Sequence, residues 1–82
     1  MKVIITPKAQ KHYGHLPKGI QVKIKKKLQI LENDPLAGKK LSGELKELRS
    51  FRVWPYRVLY YVDNPRETIY IAAILHRQGA YK

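Results

Sequence analysis

Apolar positions recur at two different periods along this chain, and the change comes near residue 48. In the first half Ala9, Tyr13 and Leu16 stand at i, i+4 and i+7, and Ile20, Ile24, Leu28 and Leu31 follow at spacings of four, four and three. That is the rhythm of two helices, each with one buried stripe. In the second half, residues 48–53, 56–62 and 68–75 are rich in β-branched and aromatic side chains and are separated by Trp54-Pro55 and Asp63-Asn64-Pro65-Arg66. Such runs between short breaker segments predict consecutive strands in an antiparallel meander. A further β-branched run at residues 3–6 opens the chain, and Thr6-Pro7 then supplies an N-cap and a proline at the first helical position. Residues 14–17 end the first helix, while Asn33-Asp34-Pro35 and Gly38 close the second and open a polar connection through Ser42-Gly43. The predicted order is β-α-α-β-β-β. It implies an α+β fold, a single domain over residues 1–82, with an antiparallel sheet carrying the two N-terminal helices on one face.

Charge changes this picture more than size does. A chain of 82 residues buries only a thin core and leaves any site shallow, which excludes a deep cofactor cavity. Its 17 Lys and Arg against 6 Asp and Glu give a formal net charge of +11. Residues 1–31 hold eight lysines and no acid, and all six carboxylates lie between Glu32 and Glu67. Self-repulsion of that size calls for a polyanion or an acidic protein as partner, although a basic surface kept for solubility has the same composition. Basic amphipathic helices also suit membranes or calmodulin-like grooves, but helices covering a sheet share the pattern, and the sheet is the simpler reading here. The absence of cysteine removes disulfides, thiolate catalysis and most zinc sites, and three scattered histidines form no metal motif. Neither a metal nor a cofactor is expected. The opening apolar run is too short for a signal peptide and no segment reaches membrane-spanning length, so a cytoplasmic protein without a membrane partner is expected.

The connection at Trp54-Pro55 carries the most chemistry. Any even-length hairpin loop symmetric about it sets Arg52 opposite Arg57, with Phe51 opposite Val58 and Val53 opposite Tyr56. One side of the hairpin is then apolar and the other presents two guanidinium groups. Like charges facing each other across a strand pair cost up to about 1 kcal/mol, so the pair suggests an anion between them, and arginine's planar fork favours phosphate. The competing reading sends both side chains into solvent or toward Glu44 and Glu47. Pro55 cannot adopt the positive φ that tight two-residue loops prefer, so this turn needs a longer loop or a cis bond, and a three-residue loop would separate the arginines. Trp54 at the tip either stacks on a base or caps the core. Past the last strand, His76-Arg77-Gln78-Gly79-Ala80-Tyr81-Lys82 gathers an imidazole, a guanidinium and a phenol with no acid beside them.

Three stretches in order resemble the RelE/ParE superfamily of toxins, across nearly the whole chain. The run from Leu41 through Ser42-Gly43-Glu44-Leu45-Lys46-Glu47-Leu48-Arg49-Ser50-Phe51-Arg52-Val53 resembles the RelE-type L-x-G-x-L-x-x-L-R-x-x-R-V stretch. Tyr56-Arg57-Val58-Leu59-Tyr60 resembles the Y-R-V-x-Y strand, and His76-Arg77 with Tyr81 resembles the closing H-R-x-x-x-Y. The resemblance implies a ribosome-dependent endonuclease that cuts mRNA in the decoding site, and a cognate antitoxin that holds it inactive in a hetero-oligomer. It implies that Arg57 contacts phosphate, that Arg77 and Tyr81 are the arginine and tyrosine of the C-terminal motif, and that Arg52 stands where relatives often have a catalytic lysine or arginine. A second basic residue of the best-known relatives falls at Ser50, with Arg49 beside it as a substitute. Arg52, Arg57 and Arg77 suit charge stabilisation, because a guanidinium keeps its proton, and either Tyr81 or His76 is left to handle protons. Tyr81 is equally suited to stacking on the target base. Lys46, Arg49, Trp54 and Lys82 are the expected RNA contacts around that centre. Two other readings stand beside it: a ParE-like toxin that inhibits DNA gyrase without cutting RNA, and a non-catalytic nucleic-acid-binding module.

Overall fold

The computed structural model describes residues 1–35, 38–40 and 48–77, with Lys39 and Lys40 as backbone only. Strand β1 (Lys2–Ile5) runs into helix α1 (Pro7–Gly14), which is followed by helix α2 (Lys18–Asn33) and by strands β2 (Lys39–Lys40), β3 (Arg49–Val53), β4 (Tyr56–Asp63) and β5 (Thr68–His76). They form one sheet in the order β1-β5-β4-β3-β2. The first strand ends one residue before its sequence run does, because Thr6 leaves the sheet to become the helix N-cap, its Oγ1 accepting from Ala9 N at 3.3 Å.

The meander of β3, β4 and β5 is antiparallel as expected, but the sheet as a whole is mixed. Strand β1 lies parallel to β5, Lys2 opposite Thr68 and Ile5 opposite Ile71. A hairpin imposes antiparallel direction only on the strands it joins, and β1 meets β5 across most of the chain. The second difference from the sequence pattern is β2, two residues of the polar connection that pair with β3, Lys39 opposite Ser50 and Lys40 opposite Arg49. Two residues are too few to show a period. Among the described residues β2 covers only the start of β3, so Phe51, Arg52 and Val53 have no strand on their outer side.

The core lies between the helices and one face of the sheet. It joins Ala9 and Leu16, Ile24, Leu28 and Leu31 of α2, and Val53, Val58, Tyr60, Ile69, Ile71 and Ile74 of the strands. Strict alternation would turn Ile74 away from Ile69 and Ile71. A bulge prevents this: Leu59 pairs with Ala73 but Tyr60 pairs with Ile71, leaving Ala72 as the extra residue on β5. All three isoleucines therefore face the helices. Beyond Ile71, β5 has outrun β1, and side chains from the start of the chain take over its edge. Thr6 Oγ1 donates to Ile71 O at 2.7 Å, and His12 Nδ1 accepts from Ile74 N at 3.2 Å.

The two helices are tied by a reciprocal pair of bonds, Tyr13 Oη donating to Gln21 O at 3.2 Å and Gln21 Nε2 donating to Tyr13 O at 2.9 Å. The residues after α2 are pinned from below. Tyr60, fully buried, donates through Oη to Pro35 O at 3.0 Å and accepts from Gly38 N at 2.8 Å. A side chain at position 38 would run into that hydroxyl and into Ser50 O, so the close approach requires glycine.

Candidate functional site

The hairpin register sets Arg52 opposite Arg57 and Val53 opposite Tyr56. The loop is therefore the two residues Trp54 and Pro55, and the bond joining them is cis. Phe51, Val53 and Val58 point into the core side, so alternation turns both arginines to the face away from the helices. Arg52 is exposed and Arg57 half-buried. Along the same face toward the other end of the sheet come Leu59 and Ala73, both buried, and then Tyr61 and Tyr70, whose rings stack at 5.1 Å with an interplanar angle of 23°.

The chain returns to this end of the molecule just after β5. Arg77 N donates to Pro55 O at 2.8 Å, and the Arg77 guanidinium carbon sits 5.1 Å from the centre of the Trp54 ring. Three guanidinium-bearing residues, Arg52, Arg57 and Arg77, thus meet around the tip of one hairpin. Trp54 does not cap the core as one sequence reading allowed: it is 63% exposed. His76 pairs with Tyr56 in the strand register and packs edge-on against its ring at 5.4 Å, which places it on the helix side of the strand end, across the sheet from Arg52 and Arg57.

Arg49 pairs with Tyr60 on the core side and its Nη1 donates to Gly38 O at 3.1 Å, so it braces the segment after α2 and does not join the arginine pair. Lys46, Tyr81 and Lys82 lie outside the described residues, as do the rest of the connection through Ser42-Gly43 and Gln78 to Ala80. Asp63, which pairs with Arg66 at 3.8 Å, stands at the opposite end of β4 from Arg57, about 20 Å away at strand spacing. Among the described residues no cluster of His, Asp and Glu could hold a metal ion, and no helix is long and apolar enough to cross a membrane.

Sequence reasoning did not find a second feature of this end. A cavity of about 350 Å³ lies between α2 and the outer edge of β3, lined by Lys23, Lys26, Lys27, Ile30, Arg52, Val53 and Trp54. The signal was present in Ile30, an apolar residue off the buried stripe and among lysines, which the helical period alone leaves unexplained.

A cluster of guanidinium groups on an open face can hold an extra negative charge on a phosphate without exchanging protons with it. Residues 3–81 match the family described as ParE toxin of type II toxin-antitoxin system, parDE. No curated protein matches the chain. Among solved structures, a chain of the toxin-antitoxin complex RelBE2 from Mycobacterium tuberculosis is similar at 32% identity and a TM-score of 0.84, over 93% of this chain and 96% of that one. A chain of the archaeal RelE-RelB complex from Pyrococcus horikoshii OT3 is 27% identical with a TM-score of 0.78, over 96% of this chain and 97% of that one. The isolated RelE toxin of E. coli shares the fold, with a TM-score of 0.80 at 20% identity over 92% of this chain and 82% of that one.

Proposed function

This chain belongs to the ParE family of toxins of type II toxin-antitoxin systems, within the RelE/ParE superfamily, and on that premise we propose that it is a ribosome-dependent mRNA endonuclease of the RelE kind. The observation that carries the reading is the meeting of Arg52, Arg57 and Arg77 around the Trp54-Pro55 hairpin, with Arg52 and Arg57 on the face opposite α1 and α2. In metal-independent cleavage the 2′-hydroxyl of the RNA loses its proton and attacks its own 3′-phosphate, and the bond to the next nucleotide's 5′-oxygen breaks as that oxygen takes up a proton. The three arginines stabilise the more negative phosphorane, a task in which losing one positioned donor commonly costs about 3 to 4 kcal/mol. Proton transfer falls to Tyr81 or His76. The edge-on packing of His76 against Tyr56, on the side away from the arginine pair, favours Tyr81. A site with so few proton-transfer groups leaves orientation of the substrate to the ribosome.

The partner that restrains it is an antitoxin whose acidic, partly disordered segment folds over the basic surface, in a cytoplasmic hetero-oligomer. The RelBE2 and archaeal RelE-RelB structures, both toxin-antitoxin complexes, support an antitoxin as the partner. A second reading follows from the family description itself, which is that of ParE: binding and inhibition of DNA gyrase without cleavage of RNA. One paired assay separates the two. The purified protein is added to mRNA-programmed ribosomes and, separately, to gyrase with supercoiled DNA. Cut mRNA with unaffected gyrase is expected, and trapped, cleaved DNA with intact mRNA would establish the gyrase reading instead.

A further inference from the structure

We propose that the cavity between α2 and the outer edge of β3 is a nucleotide subsite: it takes one base of a single RNA strand against Trp54 and Ile30, with the flanking phosphate on Lys23, Lys26 and Lys27. The proposal rests on the reading of this protein as RNA-acting and extends it to a second place on the surface.

Four observations carry it. The first is lining chemistry: four cationic residues surround a floor of Ile30, Val53 and Trp54, and among the described residues no acid lines the cavity. A neutral occupant would leave those charges repelling one another, whereas an anion with a flat apolar part satisfies both. The second is exposure. Ile30 is 52% and Trp54 63% exposed, and large apolar side chains left open among lysines mark a surface that something covers. Size is the third: about 350 Å³ lies at the small end of ligand pockets, which run from about 300 to about 1,000 Å³. The adjoining hollow by Leu31, Gly38 and Phe51 holds only about 70 Å³, little more than two waters, so the enclosed room matches one flat group. The fourth is continuity. Arg52 both lines the cavity and faces Arg57, and Trp54, which also lines it, is approached by Arg77. An RNA strand with one phosphate between Arg52 and Arg57 therefore has a neighbouring nucleotide at the cavity mouth. Base stacking on an aromatic side chain is tolerant of sequence, which suits an enzyme reading many messages.

Trp54 is the chain's single tryptophan, so its fluorescence reports this cavity directly. The wild-type protein, without ribosomes, is titrated with a single-stranded hexaribonucleotide, with an abasic strand of the same charge, and with a glutamate-rich amphipathic peptide. The hexaribonucleotide is expected to quench Trp54 and the abasic strand is not. Ile30→Glu should weaken binding about ten-fold or more, and Lys23→Gln with Lys26→Gln and Lys27→Gln should lower the slope of log affinity against log salt by about 0.7, the value for one phosphate on a single strand. All four residues are exposed, and circular dichroism checks that each variant is folded. Equal quenching by the abasic strand would reduce the site to charge alone, and quenching by the peptide but not by RNA would assign the groove to a protein partner; either overturns the proposal. Its failure is distinct from that of the nuclease reading: quenching without mRNA cutting sinks the nuclease and spares the subsite, while cutting without quenching does the reverse.

Discussion

Tyr60 shows how much one hydroxyl can organise. Its ring fills the core and its oxygen joins Pro35 to Gly38, closing the chain after α2 onto β4. Burial raises its pKa above the usual tyrosine value, against the Gly38 bond and the nearby Arg49 charge, which both lower it. The phenol therefore stays protonated and keeps donating throughout the neutral range. Tyr60→Phe strands the Gly38 N–H and the Pro35 carbonyl; it should destabilise the protein by about 1 to 3 kcal/mol, read as a lower urea midpoint with an unchanged slope. At the same scale, the opposition of Arg52 and Arg57 was legible from residue order, because a symmetric loop allows one register only. The approach of Arg77 to Trp54 was not, since it depends on where β5 ends relative to the tip of the neighbouring hairpin.

Between elements, the sensitive joint is the one between α1 and β5. His12 accepts from Ile74 N through Nδ1, which requires a neutral ring with its proton on Nε2. Burial first, then the charges of Lys8, His15 and Lys11, lower its pKa below 6.5. In the unfolded chain the ring takes up a proton at its ordinary pKa, and in the folded protein only at a lower pH. Stability should therefore be level above about pH 6.5, decline as pH falls below it, and stop declining from this cause once the folded ring protonates. Urea midpoints between about pH 7.5 and pH 5 should show the decline, and His12→Gln should flatten it. Both helices, the Thr6 cap and the three-strand meander were legible, because each rests on a local period or capping signal. The parallel placement of β1, the two-residue β2 and the bulge at Ala72 were not, because each is decided by a partner distant in the chain. The bulge is instructive: the run Ile69-Tyr70-Ile71-Ala72-Ala73-Ile74 breaks the period of two, and the backbone absorbs the extra residue so that three isoleucines reach one core.

For the molecule as a whole, a net charge of +11 on 82 residues is the background against which local geometry must be specific. Charge alone draws any polyanion and does so with steep salt dependence. What the proposed nuclease adds to a basic surface is the placing of arginines from two neighbouring strands and from the segment after β5 at one hairpin, Trp54-Pro55. The most direct measurement is primer extension along mRNA held on programmed ribosomes, comparing the wild type with Arg57→Ala and Arg77→Ala. Each variant should keep the wild-type circular dichroism spectrum and lose cutting by about 100-fold to 1,000-fold. Cutting by both at the wild-type rate would contradict the account.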